Sequence, residues 1–217
     1  IKANKVYFKT GTDGTSQEPL TWTEETQTIN GYEYVDLGLP SGLKWATCNL
    51  GASSPEEYGD YFAWGETSPK AEYTEENSVT YGLSISELQT QGYIDNEGNL
   101  TSSYDAATAN WGGSWRMPTR EQMLELVEHC EWEWTQVNGV DGAKVTGPNG
   151  NSIFLPAAGY RGGSSLINDG SLGSYWSSTP YGSYGDGRAY RLSFNSDNRY
   201  VYDGDRDFGW SVRPVLE

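Results

Sequence analysis

Few residues of this 217-residue chain have types and spacing that could do chemistry, and most sit late in it. The stretch Asp203–Asp207 (DGDRD) alternates carboxylates as the start of an EF-hand calcium loop does. Its sixth position is Phe208 where such a loop needs Gly, and its twelfth is Pro214 where it needs Glu. It therefore reads as a polar hairpin tip, and neither a metal nor any other cofactor is implied. The single histidine, His129, lies where a helix ends, a place that suits a cation beside the helix dipole. No GxSxG elbow accompanies it, so a Ser-His-Asp machinery has little to build on. Cys48 and Cys130 are the only cysteines; neither sits in a CxxC motif or has zinc-ligand spacing around it. They read as structural, either as a disulfide in an oxidising compartment or as two buried thiols, and the sequence leaves both open. Acidic residues are plentiful, but no spacing singles out a glycosidase-like carboxylate pair. The expectation is a protein that is not an enzyme.

What the late segment does carry is recognition chemistry. The expected outward, ligand-binding positions are Tyr181, Tyr184, Asp186, Arg188, Asn195, Asp197, Asn198, Tyr200, Tyr202, Asp203 and Asp205. Leu192 and Phe194 alternate with Arg191, Ser193 and Asn195, and Val201 falls between Tyr200 and Tyr202, as one covered and one open strand face would. Tyrosine gives rigid contact area at low entropic cost, while Gly, Ser and Asn adapt around it. Turn-rich hairpins collect Gly, Asn and Asp anyway, but that does not account for the tyrosines. Asn, Asp, Tyr, Ser and Gly are also the residues reached from AAY codons by substituting adenines. That is the signature of retroelement-driven diversification, and it raises the hypothesis that residues 181–207 are a variable region of that kind.

The elements that must hold this face follow from composition and local signals. The length fits one domain, or one domain with a short extension. With 27 glycines, 16 tyrosines and 9 tryptophans, the chain reads as loop-rich and β-leaning. Lys plus Arg is 14 and Asp plus Glu is 30, a formal charge of −16. Such a charge repels nucleic acid and anionic lipid and makes both unexpected partners. No stretch is long and apolar enough for membrane insertion of the domain itself. A chain beginning with Ile1 and showing no leader reads as a mature or trimmed form, which leaves export open.

Residues 1–30 read as an N-terminal extension or linker with edge-strand character, and residues 31–217 as the main domain. Tyr32–Leu37 and Lys44–Cys48 read as strands. Ser54-Pro55 starts a short helix that Gly59 would end. A polar run at about 66–104 shows little periodicity, the kind of segment that carries function or covers a site. Asp105 caps a second short helix, and Thr119 with Gln122 makes a capping box for the clearest helix, ending near Cys130. From Gly139 onward the pattern is strands and turns: Ala143–Thr146, Ser152–Leu155, Tyr175–Ser178, Ala189–Phe194, Arg199–Tyr202 and Trp210–Val215. Short antiparallel strands with two or three short helices make the class α+β.

Several phrases resemble one bacterial family. They are Val35–Asn49 (VDLGLPSGLKWATCN), Tyr58–Glu66 (YGDYFAWGE), Asp105–Thr108 (DAAT), Trp111–Thr119 (WGGSWRMPT), Ile153–Arg161 (IFLPAAGYR), Tyr175–Ser178 (YWSS) and Ser211–Val215 (SVRPV). In order and spacing, over residues 31–215, they are similar to the major paralogous domain family, also called FISUMP, of gut bacterial surface lipoproteins and pilus-tip proteins. The resemblance implies a C-type-lectin-like fold, in the branch shared with formylglycine-generating enzymes and retroelement-diversified variable proteins. It implies termini close together and a ligand-facing C-terminal third. It also implies an extracellular or cell-surface location, with the full-length protein anchored at the outer membrane. The calcium-binding EPN, QPD and WND triplets of sugar-binding C-type lectins are absent from the sequence. The expected function is thus an adhesin-like module for a protein or glycan ligand. A pilus-tip or lipoprotein assembly domain, with a pilus or surface-assembly partner, is the alternative, and a formylglycine-generating-type enzyme the third reading.

Overall fold

A computed structural model of the chain describes residues 27–182 and 187–217, with the backbone of two strands at 6–10 and 21–25. Those two, β1 (Val6–Thr10) and β2 (Thr21–Glu25), pair with each other as an antiparallel ribbon. β3 (Thr28–Ile29) and β4 (Tyr32–Asp36) are joined by Asn30 and Gly31, at φ of 51° and 83°. Two successive positive-φ residues give the turn whose twist suits a two-residue hairpin, and Asn-Gly is its favoured pair. The sheet therefore begins at Thr28, inside the stretch read as extension. β5 (Lys44–Ala46) follows.

Three short helices come next, each with a start signal readable in the sequence. α1 (Ile85–Thr90) is capped by Ser84, whose hydroxyl accepts from the Glu87 amide while the Glu87 carboxylate accepts from the Ser84 amide. It sits in the middle segment that showed no periodicity, because six residues are too few to display one. α2 (Ala106–Trp111) is capped by Asp105, and α3 (Arg120–His129) by Thr119 with Gln122, both as expected. The helix expected from Ser54 does not form. Its residues make a turn in which Glu57 accepts from the amide and hydroxyl of Ser53, so the acid closes a loop instead of opening a helix.

The remainder is strand: β6 (Glu131–Val137), β7 (Val140–Thr146), β8 (Ser152–Pro156), β9 (Tyr160–Gly162), β10 (Ser165–Ile167), β11 (Gly173–Pro180), β12 (Arg188–Phe194), β13 (Arg199–Asp205) and β14 (Val215–Leu216). The strand expected at Trp210–Val215 is shorter than expected: Trp210 and Ser211 make single bridges to Phe62 and Tyr175, and only β14 is regular. Among the described residues, the strands form small antiparallel sheets, of which three matter here. Their orders are β14-β5-β4-β3, β6-β7-β8 and β11-β12-β13. The first brings the earliest and the latest strands of the main body into one sheet. The whole is an α+β arrangement of short antiparallel sheets and short helices.

Among the described residues two large apolar clusters fill the interior, with a smaller third at Tyr61, Ala63, Tyr73 and Ala158. One gathers Trp64, Trp115, Trp176 and Trp210 with Phe62 and Val212. The other gathers Leu37, Trp45, Met123, Leu126, Leu192, Phe194 and Val215, so α3 packs on one face of the β11-β12-β13 sheet. Among the described residues, no helix is long and apolar enough to cross a membrane.

Candidate functional site

β12 and β13 pair in a seven-residue register that assigns side chains to two faces. Leu192 lies opposite Val201 and Phe194 opposite Arg199; the apolar members of this face enter the second core cluster. On the other face Ala189 lies opposite Gly204, Arg191 opposite Tyr202, and Ser193 opposite Tyr200. This second face is only partly open. Ser193 is buried, and Arg191 lies over the Trp210 ring at 4.5 Å. The expectation of one covered and one open face on β12 is thus corrected: Trp210 packs over the second face, where Ala189 and Ser193 are buried. On the edge strand β13 the expectation holds better. Tyr200 and Tyr202 are 47% and 58% exposed, their rings edge-on at 6.3 Å.

Beside Tyr202 opens a cleft of about 370 Å³. Aromatic rings of Tyr160, Phe208 and Trp210 line it, with Leu172, and polar groups come from Asn168, Ser174, Arg188, Arg191, Asp203 and Asp205. Trp210 is the centre of this construction. It packs on Trp176 at 4.0 Å and Phe208 at 6.2 Å, while Phe208 meets Tyr160 edge-on at 5.4 Å. Position 204 must be glycine for this to work, because a Cβ there would overlap the Trp210 ring. A rigid aromatic wall with a few convergent polar groups is the usual make-up of a ligand site.

The charges divide by partner. Arg188 donates from Nη1 to Asp203 at 2.7 Å and from Nε to Asp205 at 3.0 Å, which raises its own pKa through the Asp203 hydrogen bond first. Arg191 has no such partner: Nη1 donates to the Ser174 hydroxyl at 3.3 Å, and Nε is buried without an acceptor. Burial pushes the Arg191 pKa down, opposed by nearby Tyr200 and Asp203. Trp210 Nε1 is likewise buried without an acceptor.

The expected site residues scatter around this centre. Tyr200, Tyr202, Arg188 and Asp205 belong to it. Asp203 does not stand outward: it is 6% exposed and held by Arg188. Nor is Asp203–Asp207 a hairpin tip. Asp203 and Asp205 belong to β13, while Arg206 and Asp207 are buried beyond it, with Arg206 donating to the carbonyls of Arg188, Thr80 and Leu83. The tip is instead Asn195–Asn198, where the Asn195 carboxamide accepts from the amides of Asp197 and Asn198. These three residues are exposed but stand at the far end of the hairpin from Arg188 and Asp205. Tyr181 is half-buried against Tyr190, edge-on at 5.1 Å. Tyr184 and Asp186 lie outside the described residues.

Tyr160, Asn168, Ser174, Phe208 and Trp210 were not expected at the site. They come from separate turns and strands, so no local spacing marks them. A charged Arg191 in an otherwise alternating strand was the one readable signal.

The cysteines are both free. The bridge option therefore gives way: Cys130 is packed in the second core cluster at the end of α3, and Cys48 follows β5 beside Thr47. Burial pushes the Cys130 thiol up to about 11, far from a thiolate at neutral pH. His129 is exposed. Among the described residues, no group of three or more His, Cys, Asp or Glu side chains could hold a metal ion.

A family model described as a domain of unknown function (DUF8237) matches residues 129–215, a stretch that runs from the end of α3 to β14 and contains every residue of the cleft. No curated protein and no solved structure matches the chain.

Proposed function

We propose that this chain is an extracellular or cell-surface ligand-binding module, adhesin-like, which meets a protein or glycan with the β12–β13 face and its cleft. One observation carries the reading: Tyr200 and Tyr202 stand exposed on a strand that packs Val201 from its other face against the core, and Tyr202 lines an aromatic cleft. Exposed tyrosines on a rigid support lose little entropy on contact, which is why such residues dominate binding hot spots. The fold proposed is C-type-lectin-like and the family FISUMP. The sequence phrases quoted above support both, and the strand pairing of β14 with β5, at opposite ends of the main body, accords with them. Surface exposure of the full-length protein, through an outer-membrane anchor, belongs to the same proposal, as does diversification of residues 181–207. A near-identical template repeat and a reverse transcriptase at the locus would support the diversification; their absence would remove it.

The test is binding on protein and glycan arrays followed by substitution. Tyr200→Ala and Tyr202→Ala should each weaken the partner found by roughly 1–2 kcal/mol, with stability changed by less than about 0.5 kcal/mol. Unchanged affinity in both would remove this face from the site.

A further inference from the structure

We infer that the cleft receives the carboxylate of an acidic sugar residue, a uronic acid, with Arg191 as the cation that takes it. The inference rests on the binding-face reading and names the ligand class of the same site.

Arg191 is a guanidinium largely removed from water and short of acceptors. It makes one long hydrogen bond, to Ser174 at 3.3 Å, and its Nε makes none. Among the described residues no carboxylate lies within ion-pair distance of it; Asp203 and Asp205 are both engaged by Arg188. The group lies over the Trp210 ring at 4.5 Å from its centre, a contact that favours one orientation before any ligand arrives. Guanidinium presents donors in a rigid fork that fits a carboxylate, so an oriented, under-coordinated one opening on a cleft is a preorganised anion site.

The surroundings narrow the anion. Tyr160, Tyr202 and Phe208 offer ring faces and edges to the C–H side of a pyranose, while Asn168 and Ser174 can exchange hydrogen bonds with hydroxyls. A volume of about 370 Å³ suits a small ring compound and not a folded partner. The chain carries a formal charge of −16, which disfavours nucleic acids and densely acidic peptides, whose charges lie close together. A sugar residue bearing a single carboxylate satisfies Arg191 with the least added repulsion.

The test compares methyl β-D-glucuronide and methyl α-D-galacturonide with their neutral glucoside and galactoside, and with an N-acetylated glutamate amide. The readout is amide chemical-shift titration of the intact chain. At least one uronide should bind about tenfold more tightly than its neutral counterpart, the worth of one charge-assisted pair. Arg191→Gln should abolish that preference, so that acid and neutral sugars bind alike. Arg191→Lys, which keeps the charge without the fork, should retain only part of it and covers the case in which the glutamine variant fails to fold. Equal affinity for acid and neutral sugars, or a preference that survives Arg191→Gln, overturns the inference. Equally tight binding of the glutamate amide overturns it in favour of a protein carboxylate. If a partner from the arrays is weakened by Tyr202→Ala but shows no carboxylate preference, the acidic-sugar inference falls and the binding face stands. If no ligand perturbs this face at all, both fall.

Discussion

The region around Arg213 and the cleft around Arg191 each take a guanidinium out of bulk water, but only the first gives acceptors to all three of its nitrogens. Arg213 is 1% exposed. Its Nε donates to Asn49, its Nη1 to the carbonyls of Ala46 and Thr47, and its Nη2 to the carbonyl of Phe154. One side chain thereby ties the end of β5 and the loop after it to β8. No carboxylate takes part in these bonds, and burial lowers the Arg213 pKa. Arg191 has the same chemistry with one weak partner and an open cleft beside it. The comparison teaches how to tell an arginine that holds a fold from one placed to meet a ligand: count the acceptors that the folded chain itself supplies.

The contrast breaks first at Arg213. Arg213→Met should cost about 3 kcal/mol or more, because it removes the donors that the buried Asn49 side chain and the carbonyls of Ala46 and Phe154 accept from. That is a large share of the stability of an ordinary domain, so urea denaturation should show a marked fall in midpoint and expression should suffer. Arg191→Gln, by the same measurement, should change stability far less, since it removes one long hydrogen bond and a stacking contact. Equal losses in both variants would erase the distinction between the two arginines.

Much of the frame was legible because its signals are local. The capping boxes at Thr119 and the cap at Asp105 announce helices within four residues, and the alternation in Arg199–Tyr202 and Ala189–Phe194 announces strands. Ser84 with Glu87, and Asn30 with Gly31, carried equally local signals for α1 and the β3–β4 hairpin. β6 is an alternating Glu-Trp-Glu-Trp run closed by a second Asn-Gly turn. The cleft was not legible, because it is assembled by tertiary contact. Tyr160, Phe208 and Trp210 lie up to 50 residues apart and meet only when the Gly209 bridge to Arg161 sets that segment beside β9. The burial of Asp203 has the same origin: alternation puts it on the Val201 face of β13, and only the partner strand supplies the Arg188 that makes burial tolerable.

A gentler break comes at Gly204, which touches the cleft but not Arg213. A methyl group there has no free space, since the outer edge of the Trp210 ring occupies it and the ring is backed by Trp176. The ring must tilt or β13 must shift, a strain of about 1–3 kcal/mol for one methyl group in a packed interior. Gly204→Ala should therefore lower the urea midpoint less than Arg213→Met does. Its effect on binding should be disproportionate, because a tilted Trp210 takes with it the surface on which Arg191 is oriented and opens the contact with Phe208. Titration of Gly204→Ala with the uronides should show the acid preference reduced along with the affinity, in a protein that remains folded. If this variant binds like the parent, Trp210 does not orient the guanidinium, and the cleft owes its ligand chemistry to Tyr202 and its exposed neighbours alone.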